Sequence, residues 1–246
     1  MKNITLTIIT AFAMNISAFA ANVATDNAST NNYPGGTWNS GSNGGNGFGA
    51  WTLTSTPAGG FSGSYIGGTA LGTTTFGIYS GGNTAATFLA YRPFTGAMVQ
   101  NDRFSVDLAH SPNINTGGQI GLSLMEGSNA RWTLKFVGGG TDWQINDGGS
   151  SDFGAGQAYA ANTLLSFSFT YNGSSSYSYT FGTGSGNNFT ATANIAGITG
   201  VQFFSVNQGN DQNFAFNNLA VPEPSSASLM ALGTAGLLAL RRRRNA

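Results

Sequence analysis

The stretch Arg103-Phe104-Ser105-Val106-Asp107-Leu108-Ala109 alternates without a break. Phe104, Val106 and Leu108 fall on one side of an extended chain, with Arg103, Ser105 and Asp107 on the other. Period two is the mark of a half-buried strand. The same pattern returns in Leu165, Phe167 and Phe169 against Ser166, Ser168 and Thr170, and in Trp132, Leu134 and Phe136 against Arg131, Thr133 and Lys135. Shorter stretches of this kind (AWTLTS, TFGIY, ATFLAYR, GQIGLSLM, TDWQI, YSYTF, GVQFFSV and NFAFNNLAV) bring the predicted strands to about eleven. Glycine and asparagine clusters separate them, such as Asn43-Gly44-Gly45, Gly138-Gly139-Gly140 and Asp147-Gly148-Gly149. These residues tolerate the positive φ that tight hairpin turns demand.

No convincing helix lies between the strands, which argues against an alternating β-α architecture. The expected fold is all-β: one antiparallel β-sandwich, a jelly roll resembling concanavalin-like domains, with a barrel as the alternative. The segment 154–163 (GAGQAYAANT) is expected to hold a short helical turn, and YNGSSSYSYTF to form a hairpin around Asn172-Gly173, with a loop lengthened by Ser174, Ser175 and Ser176 as the alternative. Residues 21–32 are polar and read as a loose N-terminal segment, so the sandwich is expected to span 33–220.

Composition sets limits on function. Glycine makes up 37 of 246 residues and only 7% are charged, against roughly 25% in an average soluble protein. Between residues 21 and 220 four basic side chains face eight acidic ones, a net charge of −4. Nucleic-acid binding needs clustered Lys and Arg, so it is excluded. Cysteine is absent, which removes disulfides and thiol chemistry.

The two ends read as processing segments. Lys2, a mostly apolar run from Ile4 to Ile16, and Ala18-Phe19-Ala20 form a secretory signal peptide over residues 1–20. Signal peptidase is expected to cut between Ala20 and Ala21. At the other end Val221-Pro222-Glu223-Pro224 precedes an uncharged, increasingly apolar segment, 225–240, and then Arg241, Arg242, Arg243 and Arg244. Sixteen residues at 1.5 Å rise reach about 24 Å, short of the ~30 Å hydrocarbon core. Snorkelling arginines extend that reach and fix the basic end in the cytoplasm. The prolines hold the preceding chain extended.

This order of Pro-Glu-Pro, apolar helix and arginine cluster resembles the PEP-CTERM sorting signal of Gram-negative bacteria, over 221–246. The resemblance implies a transient transmembrane helix in the inner membrane and processing by an exosortase near the Pro-Glu-Pro motif. It also implies a final place at the cell surface or in an extracellular matrix, in company with exopolysaccharide and biofilm formation.

The body offers little for catalysis. His110 is the only histidine, placed before Ser111-Pro112 where a solvated turn residue is expected. Glu126 is the only glutamate between the two end segments, so the Glu-x-Asp-x-Glu pattern of sandwich glucanases cannot occur. A non-enzymatic protein is expected, with a glycan hydrolase the weakest reading. No cofactor is called for, apart from calcium, for which Asp142, Asp147 and Asp152 are the candidate ligands because calcium takes carboxylates from flexible loops. The alternative function is a lectin-like module, with Trp143 stacking on sugar and Asp142 taking hydroxyls. Trp132 shares the parity of Leu134 and Phe136 and is expected in the core, as is Trp51.

Overall fold

The computed structural model describes residues 23–56, 61–81, 86–192, 194–208 and 213–222. Among these, fifteen strands form: β1 (Val23–Asp26), β2 (Thr52–Thr56), β3 (Phe61–Thr69), β4 (Gly72–Gly81), β5 (Thr87–Pro93), β6 (Arg103–His110), β7 (Gln119–Glu126), β8 (Asn129–Val137), β9 (Asp142–Asn146), β10 (Phe153–Ala158), β11 (Leu165–Gly173), β12 (Ser176–Phe181), β13 (Gly184–Thr190), β14 (Gly200–Val206) and β15 (Asn213–Pro222). They build two sheets, all of whose pairings are antiparallel. One runs β13-β12-β11-β6-β15-β4-β3, with β1 added beside β15; the other runs β10-β9-β8-β7-β14-β5-β2. The all-β sandwich expected from the alternation is what forms.

The three stretches that first showed period two turn the predicted side inward. Phe104, Val106 and Leu108 are buried, as are Leu165, Phe167 and Phe169, and Trp132, Leu134 and Phe136. The sheets meet through aromatic rings. Phe203 of β14 stacks on Phe216 of β15 at 3.7 Å and 5°, and Trp132 of β8 stacks on Phe167 of β11 at 5.5 Å. Burying such side chains contributes roughly 1.5–3 kcal/mol each.

Three local expectations need correction. Of the expected loose segment 21–32, the described residues 23–32 are held in place: β1 pairs with the end of β15, from Val23 opposite Pro222 to Asp26 opposite Leu219. Ala24, Asp26 and Ala28 are buried, and Thr25 exchanges two backbone hydrogen bonds with Asn46. The segment 154–163 holds no helical turn: β10 occupies its first half, pairing with β9 through an irregular register. The β11–β12 hairpin turns at Ser174-Ser175, both at positive φ (49° and 63°), with Gly173 facing Ser176 across the turn. The turn therefore sits two residues beyond Asn172-Gly173.

Candidate functional site

The sequence-predicted site residues do not assemble. Trp143 is fully buried, edge-on to Phe181 at 5.0 Å and beside His110 and Phe136. It belongs to the core and cannot stack on a sugar. The physical reason is parity: Trp143 and Ile145 share the inward face of β9, and the polar neighbours Asp142 and Gln144 face out. Trp38, Trp51 and Trp132 are buried as well.

The three aspartates serve separate local roles. Asp142 is exposed and accepts a hydrogen bond from Thr141 at 2.6 Å. Asp147 is buried and accepts from the Tyr177 hydroxyl at 3.1 Å. Asp152 pairs with Lys135 at 2.7 Å and accepts from Asn146, which holds its carboxyl below the usual range despite partial burial. Among the described residues no three acidic or histidine side chains are grouped to hold a metal ion. His110 is not solvated either: it is 3% exposed, its ring contacting Tyr159 at 4.5 Å, with Nδ1 hydrogen-bonded to the Ser111 carbonyl. Burial lowers its pKa.

A charged cluster invisible from sequence spacing lies under the N-terminal segment. Arg92 of β5 and Asp26 of β1 form an ion pair at 2.9 Å with both side chains fully buried. The Asp26 Oδ2 atom also accepts from the Tyr33 hydroxyl at 2.7 Å and, at 3.3 Å, from Trp51 Nε1, which donates to Tyr33 Oη too. Arg92 donates to the carbonyls of Ser42 and Gly44 and lies over the rings of Phe48 and Trp51. Asp26 Oδ1 is buried and accepts no well-formed hydrogen bond. Removal from water outweighs the Arg92 charge and the hydroxyl and indole donors, so the Asp26 carboxyl is pushed up to about 6. This cluster clasps residues 23–51 to the sandwich. It is closed to solvent and structural.

The outer face of the eight-stranded sheet is different. Three alternate cross-strand pairs of β3 and β4, all on one face, each set an aromatic residue opposite a glycine: Phe61 with Gly81, Tyr79 with Gly63, and Tyr65 with Gly77. Phe76 and Ile78 point into the core, so these rings point out. A Cβ placed on Gly77 would be 2.6 Å from both Cε1 and Cε2 of Tyr65 and nearest to Cζ. Such a point lies on the normal to the ring, so Tyr65 lies flat on Gly77 with its second face turned away from the sheet. Tyr79 covers Gly63 with Oη and Cζ nearest in the same way. The ring centroids are 5.8 Å apart for Phe61 and Tyr79, and 6.5 Å for Tyr79 and Tyr65. Phe61 is 49% exposed. The row Tyr65-Gly77 continues through Ala215 and Ala109, and beyond Tyr65 a shallow groove of about 160 Å³ is lined by Thr69, Ala109, Ser111, Asn162, Asn213 and Ala215 among others. Alternation of glycine and aromatic residues in FSGSYIG and GIYSG carried this signal in the sequence.

At the C-terminus β15 runs to Pro222, whose backbone pairs with Val23. Residues 223–246 and 1–22 lie outside the described residues. With them lie the expected helix 225–240, Glu223, Pro224, Arg241 to Arg244, and Ala18, Ala20 and Ala21. Residues 220–244 match the family model of the PEP-CTERM protein-sorting motif. The chain carries a PEP-CTERM sorting signal. The PEP-CTERM motif marks a protein for export to the cell envelope of a Gram-negative bacterium, with exosortase as the processing partner.

For the body of this PEP-CTERM protein no curated protein matches. Solved structures resemble it in fold alone. The cellulose induced protein Cip1 is 10% identical at a TM-score of 0.51, covering 70% of this chain and 90% of its own. A structure described under endo-acting O-glycanases that initiate mucin breakdown, from the human gut microbiota, is 8% identical at a TM-score of 0.50, covering 70% and 91%.

Proposed function

We propose that the chain is an exported, non-enzymatic surface protein that exosortase separates from its C-terminal tail and that then resides in or on an extracellular polysaccharide matrix. The observation that carries this reading is the sorting-motif match over residues 220–244. Signal peptidase removes residues 1–20 at Ala20, the segment 225–240 holds the precursor in the inner membrane, and Arg241 to Arg244 halt its passage.

The fold supports this sequence of events. Because β1 and β15 pair antiparallel, Val23 and Pro222 lie opposite each other at one point of the body. The chain thus enters the sandwich at Val23 beside the point where it leaves at Pro222. Both membrane enzymes meet the same end of the body, and β15 delivers the motif with almost no stalk. The non-enzymatic reading is supported by the commitments of the polar groups: Asp147 to Tyr177, Asp152 to Lys135, and His110 to an aromatic stack.

The test uses a host that possesses the exosortase. Glu223→Ala, or deletion of Arg241 to Arg244, is expected to leave precursor with its tail in the inner membrane. Normal release of both variants contradicts the reading.

A further inference from the structure

We propose that the outer face of the eight-stranded sheet, from the rings of Tyr79 and Tyr65 to the floor formed by Ala215 and Ala109, is a binding site for a neutral polysaccharide. It rests on the preceding reading only in placing the body where such polymers occur. Four features of the face point to this ligand class.

The rings lie down. A tyrosine folded flat onto a glycine spends one face on the backbone and turns the other outward, so a flat apolar ligand surface gains contact without moving any side chain. Aromatic platforms of this kind supply large contact area at little conformational cost. The C–H faces of pyranose rings are such surfaces; the Tyr79 and Tyr65 centroids lie 6.5 Å apart with their planes 35° from parallel, and Phe61 extends the row at 5.8 Å from Tyr79 as a ring tilted by 59°. That row is longer than one sugar ring, which favours a polymer over a monosaccharide.

The floor is flat. Gly77, Ala215 and Ala109 occupy neighbouring positions in one row across β4, β15 and β6. None projects beyond Cβ, and Ala215 and Ala109 are only 2% and 3% exposed, so they form the bottom of the groove while Tyr65, Thr69, Ser111, Asn162 and Asn213 form its walls.

The rim is amide and hydroxyl. Asn162, Asn213, Ser111 and Thr69 line the groove, and the side-chain amides of Asn162 and Asn213 make no hydrogen bond among the described residues. An amide offers both donors and acceptors, which matches sugar hydroxyls that need both.

The face is neutral. Residues 61–81 carry no charged side chain, and neither does β15. The carboxylate on the outer face of β6, Asp107, is held by Ser166 and Asn218. A polyanion would call for Arg or Lys, whose charge-assisted hydrogen bonds capture carboxylate and phosphate. None stands along the row from Tyr79 to Ala109; Arg103, exposed on the same face of β6, lies at the far end of that strand, six residues from Ala109.

The rings also shield the glycine backbone of an edge strand, and the experiment must separate that structural role from binding. Processed protein recovered from the cell exterior is titrated calorimetrically with cellohexaose, with laminarin as a β-1,3-glucan, and with alginate as an anionic control. The expected result is saturable heat with at least one neutral glucan and none with alginate. Tyr65→Ala weakens that binding about tenfold or more, the loss of one anchoring aromatic contact, whereas Tyr65→Phe retains it. Asn162→Gly removes no ring and suits the positive φ of 50° at this exposed rim position; it weakens binding about fivefold, the loss of one hydrogen-bonding amide, with the thermal midpoint kept, which covers the case in which Tyr65→Ala fails to fold. Absence of saturable heat with both neutral glucans overturns the proposal. So does wild-type affinity in both Tyr65→Ala and Asn162→Gly, or a preference for alginate. Failed binding by protein that has lost its tail leaves the sorting reading intact, and binding by protein that keeps its tail sinks the sorting reading alone.

Discussion

Replacing Asp26 by asparagine should flatten one limb of the protein's stability against pH. In the folded chain the carboxyl is pushed from 3.8 up to about 6, because burial outweighs the Arg92 charge and the Tyr33 and Trp51 donors. A carboxyl raised on folding holds its proton more tightly in the folded state. Its contribution is therefore complete below about pH 4 and is lost as the pH rises through 6. Carrying the carboxyl from 3.8 to about 6 corresponds to about 3 kcal/mol over the whole window. His110 pulls the opposite way. Burial depresses its pKa, so its share is present above the ordinary histidine range and is lost as the pH falls from there through the lowered folded value. The informative quantity is thus the difference between wild type and Asp26→Asn at each pH, in which the His110 share cancels. Urea unfolding followed by tryptophan fluorescence suits the measurement, since Trp51 donates into the cluster. From pH 4 to pH 8 wild type should lose about 2–3 kcal/mol relative to Asp26→Asn, whatever constant offset the unpaired Arg92 adds. A difference that stays constant with pH, or grows in favour of wild type, refutes the reasoning.

Two further outcomes follow from the placement of predicted site residues. Trp143→Ala opens a cavity between Phe181, His110 and Phe136, and should cost about 3–5 kcal/mol in chemical denaturation; a cost below about 1 kcal/mol would mean the indole is not core. Since Asp142, Asp147 and Asp152 point to different partners, calcium and EDTA should leave the thermal midpoint unchanged. An upward shift that saturates with calcium would contradict this.

Strands that carry their own apolar stripe were legible, and those that borrow cover were not. β6, β8 and β11 alternate so cleanly that register and inward face follow from residue type alone. β1, β3, β10 and β13 (VATD, FSGSYIGGT, FGAGQA and GSGNNFT) lack that stripe and resemble loops. Glycines of β3 and β13 are covered by rings from the neighbouring strand or their own, as Tyr79 covers Gly63 and Phe189 covers Gly186. Asp26 was opaque for another reason: its partner Arg92 is contributed by β5, and no local spacing announces an ion pair across the fold. Trp143 was legible but outweighed. Its parity with Ile145 pointed inward, whereas its polar neighbours and glycine loop suggested a surface site. The sorting signal stood out because its order of elements is specific, while the outer-face platform hid in an aromatic–glycine alternation that reads as flexibility until the strands are paired.

Intact-mass spectrometry of the protein harvested from the cell exterior tests the central claim most directly. The account predicts a chain that begins at Ala21 and ends near the Pro222-Glu223-Pro224 motif, without the segment 225–246. Recovery of exterior protein still bearing Arg241 to Arg244 would contradict it.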